Sequence, residues 1–130
     1  MSEEVLLDTQ AFLWWVLGDE RMPERVRGQI PQMSRVWVSA ASAWEIRRKH
    51  RLGKLPEAAP ALLVGLADVA ASHGFRELDI TFADGDLAGS FSQAHKDPFD
   101  RMIAAQALNH RLALVSNDAA LDAFGVVRMW

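Results

Sequence analysis

Five short apolar runs, separated by stretches with helical patterning, constrain this chain more than anything else in it. They are Val5-Leu6-Leu7, Val36-Trp37-Val38, Phe75 to Ile80, Leu112 to Val115 and Val126-Val127. Runs this short, most of them apolar on both faces, read as strands of a sheet covered on both sides. Between them, helices are predicted over Gln10–Leu17 (stopped by Gly18), Glu24–Ile30 (opened by Pro23), Ser42–Arg51 (ended by Gly53) and Glu57–Ser72 (ended by His73-Gly74). Three more follow over Thr81–Gln93, Pro98–Asn109 and Asp118–Ala123. The alternation predicts an α/β fold of three layers, helices covering both faces of a mainly parallel sheet. With 130 residues, 50% of them hydrophobic, there is material for one core, so residues 1–130 are expected to form one domain. In such sheets ligands bind outside the carboxyl ends of the strands.

Several chemistries are excluded by what the sequence lacks. There is no cysteine, hence no disulfide framework, thiolate metal site or cysteine nucleophile. His50, His73, His95 and His110 are scattered and form no H-E-x-x-H pair. No G-x-S-x-G elbow surrounds a serine, and neither a phosphate-binding P-loop nor a dinucleotide fingerprint is present. The net charge of −3 argues against an indiscriminate nucleic-acid binder, although a local basic patch is compatible with it. The start, Met1-Ser2-Glu3-Glu4, is acidic where a signal peptide is basic, and the apolar run Ala11–Leu17 is far too short to span a bilayer. A soluble, cytoplasmic protein without membrane contact is expected.

What remains at the strand ends is carboxylate. Asp8 ends the first strand, and Glu45 is expected in the first turn of the helix after Val36–Val38. Asp97 and Asp100 flank Pro98 at a helix start, and Asp118 follows the strand Leu112–Val115. In a parallel sheet all of these can converge on one edge. Carboxylates in one cleft raise one another's pKa unless a cation lies between them. Hard divalent ions such as Mg²⁺ and Mn²⁺ suit oxygen ligands, activate water and neutralise a phosphodiester in transition, which makes a nuclease site. Each acid also has an ordinary structural reading. Ser42-x-x-Glu45 has the form of a capping box, Asp97 and Asp118 suit N-caps, Asp100 suits a helix dipole, and Asp8 suits a turn.

At these residues the sequence resembles the PIN-domain family, and within it the VapC-type toxins of bacterial toxin–antitoxin pairs. The matching stretches are Leu6–Trp15 (LLDTQAFLWW), Val38–Ile46 (VSAASAWEI), His95–Ala107 (HKDPFDRMIAAQA) and Val115–Asp118 (VSND). Together they span nearly the whole chain in the family's order. The resemblance implies a Mg²⁺- or Mn²⁺-dependent ribonuclease with Asp8, Glu45, Asp100 and Asp118 as its acidic set. It implies Asp8 and Asp100 as principal metal ligands, with Asp118 binding directly or through water and Glu45 positioning metal or the attacking water. Asp97 is then a supporting residue, and Thr9 and Asn117 sit beside the site to bind water or phosphate. Gln10 departs from relatives that carry histidine there, yet it retains a hydrogen-bond donor. The resemblance also implies a homodimer and a cognate antitoxin partner.

Arg47-Arg48-Lys49-His50-Arg51, followed by Lys54, concentrates positive charge after Glu45. This run reads equally as a solvated helix end or as a phosphate-tracking surface in which Arg47, Arg48 and Arg51 lead RNA to the carboxylates. The first helix is apolar all round from Ala11 to Leu17. A short outer helix of this kind exceeds what one small chain is expected to bury, so Trp14 or Trp15 is predicted near a subunit or partner interface. Two rival functions stand beside the ribonuclease toxin. One is a catalytically weak, PIN-like module that only binds RNA or protein. The other is a haloacid-dehalogenase-type phosphatase, weakened by Gln10 where that chemistry wants a second aspartate.

Overall fold

The structure, a computed structural model, describes residues 3–55 and 59–130. Five strands, β1 (Glu4–Leu7), β2 (Arg35–Ser39), β3 (Arg76–Leu78), β4 (Ala113–Val115) and β5 (Arg128–Met129), form one sheet in the order β3-β2-β1-β4-β5. Every pairing is parallel. Among the described residues six α-helices connect them: α1 (Thr9–Leu17), α2 (Glu24–Gln29), α3 (Ala40–Arg51), α4 (Leu66–Ser72), α5 (Phe82–Ser90) and α6 (Pro98–Asn109). The expected three-layer α/β architecture is what the chain adopts.

The central strand shows why. Val5 and Leu7 point into one core with Phe12 of α1, Val26 of α2 and Phe75, while Leu6 points into the other with Phe99 and Ile103 of α6. A strand whose alternate residues are all fully buried needs cover on both faces. Each such side chain contributes about 1.5–3 kcal/mol of hydrophobic stabilisation. The chain lays β2 and β3 outward on one side of β1, then returns through α5 and α6 to place β4 and β5 on the other. The order therefore reverses between β1 and β4, and that switch point opens a crevice beyond their carboxyl ends.

Several elements differ from the sequence reading. α3 begins at Ala40, capped by the Ser39 hydroxyl, which accepts from Ala41 N at 2.9 Å. The Ser42–Glu45 capping box therefore does not form, and Glu45 sits in the second turn rather than the first. Within the expected helix Glu57–Ser72, residues 57 and 58 lie outside the described residues, and the rest is broken. A 3-10 segment, Ala59–Val64, gives way at Gly65 to α4. The helix expected over Thr81–Gln93 stops at Ser90. The last strand forms at Arg128–Met129 instead of Val126-Val127: Val126 packs under α6 and β4 pairs two residues later.

The expectation that one chain cannot bury Trp14 is corrected, while Trp15, Val16 and Leu17 stay partly exposed. Trp14 is buried inside the chain, against Trp130 at 5.7 Å, with Arg21 over its ring. Trp15 is half-buried against Phe75, and its Nε1 donates to His73 Nδ1 at 3.1 Å. Arg27 closes the helix end by donating to the carbonyls of Trp14, Trp15 and Asp19. The C-terminal residue and a cation–aromatic layer thus supply the cover that local sequence does not announce. Among the described residues, no helix is long and apolar enough to cross a membrane.

Candidate functional site

Asp8 leaves β1 at the switch point. Its backbone N–H still pairs with Val115 O of β4, and its carboxylate caps α1 by accepting from Ala11 N at 2.8 Å. Asp118 follows β4 and caps a 3-10 turn through Ala120 N. Asp97 caps α6 through Phe99 N and Asp100 N. With Pro98 occupying the first helical position, where no donor is needed, Asp100 is left to turn its carboxylate outward. Asp97 and Asp118 thus fulfil their structural readings as caps and Asp100 lies in the first turn of α6, whereas Asp8, read as a turn residue, is a third helix cap. The caps and the cleft are compatible, because a helix N-terminus holds a carboxylate at the sheet edge with an oxygen to spare.

These residues meet in one open cleft of about 380 Å³, lined by Asp8, Thr9, Gln10, Glu45, Asp97, Asp100, Asn117 and Asp118. Every acid singled out in the sequence lies there, together with Thr9 and Asn117. The Thr9 hydroxyl is committed to Ser42 Oγ at 2.9 Å, which fastens α1 to α3 beneath the cleft. Glu45 is buried. Its Oε2 meets Lys49 Nζ at 3.1 Å one helical turn on, while Oε1 has no hydrogen-bond partner among the described residues. Behind the cleft, Gln106 of α6 accepts from Ser39 Oγ and donates to Asp79 O, tying α6 to the ends of β2 and β3.

The electrostatics are strained in one direction. Burial pushes the Asp8 carboxyl up to about 6; the Ser116 hydroxyl and the Ala11 N–H pull it down, and the charges of Asp100 and Glu45 push it further up. Burial also raises Asp100, with Asp97 and Glu45 adding to the effect and His95 opposing it. The crevice holds more negative charge than its own donors balance.

His95 was missed in the sequence. Its Nε2 lies 2.8 Å from Asp100 Oδ2, and His95, Asp100 and Asp118 can bring one ligand atom each within 4.8 Å of one another. Among the described residues, His95, Asp100 and Asp118 therefore form a potential ligand group, and Asp8 lines the cleft with Asp100 and Asp118. Its place just ahead of Asp97-Pro98 was the available signal. What local sequence hides is Arg101, whose guanidinium donates to the carbonyls of Ala88, Phe91, Gln93 and His95 and so gathers the α5–α6 loop. The donor set, oxygen-rich with one imidazole, one buried unpartnered Oε1 and two carboxyls raised by burial, fits a divalent cation.

The basic run is less convergent. Arg47, Arg48 and Arg51 do not line the cleft. Arg47 turns to Leu63 O at 2.6 Å, whereas Arg48 and Arg51 are exposed on α3.

The fold superposes on FitAcB from Neisseria gonorrhoeae with a TM-score of 0.68 at 22% identity, over 97% of this chain and 96% of that one. With VapBC2 from Rickettsia felis bound to a DNA fragment from their promoter, the score is 0.69 at 16% identity, over 98% of each chain. A toxin–antitoxin complex from Klebsiella pneumoniae gives 0.59 at 18% identity, over 97% of this chain and 96% of that one. No curated protein is significantly similar in sequence. The family model for the PIN domain matches residues 5–127, from the first residues of β1 to the approach of β5. Fold, acidic crevice and family model agree, and the chain belongs to the PIN-domain family.

Proposed function

We propose that this chain is a Mg²⁺- or Mn²⁺-dependent endoribonuclease, one catalytic domain over residues 1–130, acting as the toxin of a VapC-type toxin–antitoxin pair. The observation that carries the reading is the meeting of Asp8, Glu45, Asp97, Asp100 and Asp118 in one crevice, with Asp8 pushed up to about 6. A binding module gains nothing from buried, mutually repelling carboxylates, whereas a metal-dependent hydrolase needs them. The complexes to which the fold is similar include a toxin–antitoxin pair, which supports a protein antitoxin as partner. A cytoplasmic homodimer completes the proposal.

A divalent ion bound in the crevice supplies charge neutralisation at the scissile phosphodiester and acidifies a water. Asp8, Asp100 and Asp118 would hold it, with His95 Nε2 fixing Asp100 Oδ2 or joining the set. Lys49 holds Glu45 Oε2, which leaves Oε1 to accept a hydrogen bond from the attacking water and orient it. Asn117 and Gln10, which line the cleft, would donate to phosphate oxygens. The test is incubation of the purified chain with total RNA. Cleavage is expected with Mg²⁺ or Mn²⁺, to stop with chelator, and to fall at least ~100-fold in Asp100→Asn, since a lost ligand is worth several kcal/mol of transition-state stabilisation. Undiminished cleavage in excess chelator, or none with either metal, contradicts the proposal.

A further inference from the structure

Trp44 is 61% exposed, although burial of an indole is among the most stabilising events open to a side chain. Its position is not peripheral. It directly precedes Glu45, a cleft residue, and its ring packs on Phe99 at 4.7 Å and 74°. Phe99 is itself buried and sits in the chain between Asp97 and Asp100. Trp44 is thus held between the two elements that carry Glu45 and Asp100, beside the cleft though not in its lining. A near-perpendicular contact leaves indole surface open to solvent.

Charge follows the same side of α3. Arg48 and Arg51 stand four and seven residues on from Trp44, the spacing of one helix face, and both are exposed. Among the described residues neither forms an ion pair. The rim therefore offers a flat aromatic surface next to an acidic centre, then a line of cations. A polyanion with planar side groups matches that sequence of chemistries. A folded duplex does not, because its bases are already stacked on one another.

We infer that Trp44 is a stacking platform for an unpaired RNA base at the mouth of the cleft, with Arg48 and Arg51 holding the phosphates of the strand beyond it. The inference rests on the ribonuclease reading and adds to it a base-stacking residue outside the acidic set. Stacking on an aromatic side chain is sequence-tolerant and accounts for about tenfold or more in affinity per base.

The test is fluorescence anisotropy of a short labelled RNA without self-complementarity, in chelator so that the strand stays intact. An abasic strand of equal length and charge runs in parallel. Trp44→Ala is expected to weaken binding of the RNA about tenfold and to leave the abasic strand unaffected, while Trp44→Phe stays within about threefold of wild type. Arg48→Gln with Arg51→Gln should weaken both strands alike. Equal affinity of the wild-type chain for RNA and abasic strand overturns the platform, as does a folded Trp44→Ala that binds RNA normally. If that variant binds RNA normally but escapes neutralisation by the antitoxin, the surface serves a protein partner and the inference is overturned. Absence of any RNA binding by the wild-type chain refutes the ribonuclease reading itself.

Discussion

Two buried carboxylates at helix N-termini behave in opposite ways. Asp84, at the start of α5, has a fully buried side chain, yet its pKa lies below the ordinary carboxylate range. Burial pushes it up, but Asn109, the Thr81 N–H and hydroxyl, and His110 more than compensate. Its Oδ1 accepts from Asn109 Nδ2 at 2.9 Å and its Oδ2 from Thr81 N at 2.9 Å, completing a reciprocal capping box. Asp8, at the start of α1, lies deeper in the protein than Asp84, and burial carries it up to about 6. Its donors, the Ser116 hydroxyl and the Ala11 N–H, do not offset that burial, and the charges of Asp100 and Glu45 add to it. Loss of solvent contact alone therefore does not mark a site; depth and missing partners together do. A buried carboxylate whose charge is answered by its own fold is structure, and one whose charge is left unanswered is prepared for something that arrives.

The largest effect that would break this comparison is at Asp84. Asp84→Ala removes a cap and strands Asn109 and the Thr81 N–H, and is expected to cost about 3 kcal/mol in denaturant unfolding. A loss under about 1 kcal/mol would show that its hydrogen bonds do not outweigh its burial.

The opposite sign is expected at Asp8. A folded pKa raised from 3.8 to about 6 means that the charged form destabilises the fold. That stability is intact below the unfolded value and is lost as pH rises through the folded one. Asp8→Asn, which keeps the cap, should therefore match wild type below about pH 4 and exceed it by about 2–3 kcal/mol above about pH 6, in chelator. Unfolding curves at both ends of that window decide it. No pH dependence in the difference would place Asp8 with Asp84 as a structural cap.

A smaller shift sharpens the role of metal. Saturating Mn²⁺ should stabilise the wild-type chain by about 1–3 kcal/mol and raise its thermal midpoint by several degrees. The shift should be absent in Asp8→Asn combined with Asp100→Asn. Equal shifts in both proteins would place the bound ion outside the crevice.

Much of this was legible in the sequence where structure is local. β1, the start of α6 with its Asp97–Pro98 cap, and the succession of acids after strands all follow from short-range pattern. The convergence of those acids follows from one further rule, that a parallel sheet gathers its strand ends on one edge. Long-range contact accounts for the rest. Ser39 was overlooked as the α3 cap because its position depends on where β2 ends, and β2 ends where pairing with β3 ends, at Ser39–Leu78. Trp14 read as an interface residue because Trp130 lies at the far end of the chain. His95 reads as one of four scattered histidines until Arg101 gathers the carbonyls of its loop and sets the imidazole on Asp100.

The account turns on one quantity, the unanswered charge of Asp8, and carboxyl-carbon NMR titration reads it directly. In chelator, Asp8 is expected to titrate near pH 6, while Asp84 titrates below the ordinary carboxylate range. Added Mg²⁺ should lower the Asp8 midpoint by at least about one unit and leave Asp84 unmoved, because a cation among the carboxylates favours their charged forms. An Asp8 midpoint near 3.8 without metal, or one that Mg²⁺ does not move, would contradict the reading of this crevice as a metal-dependent active site.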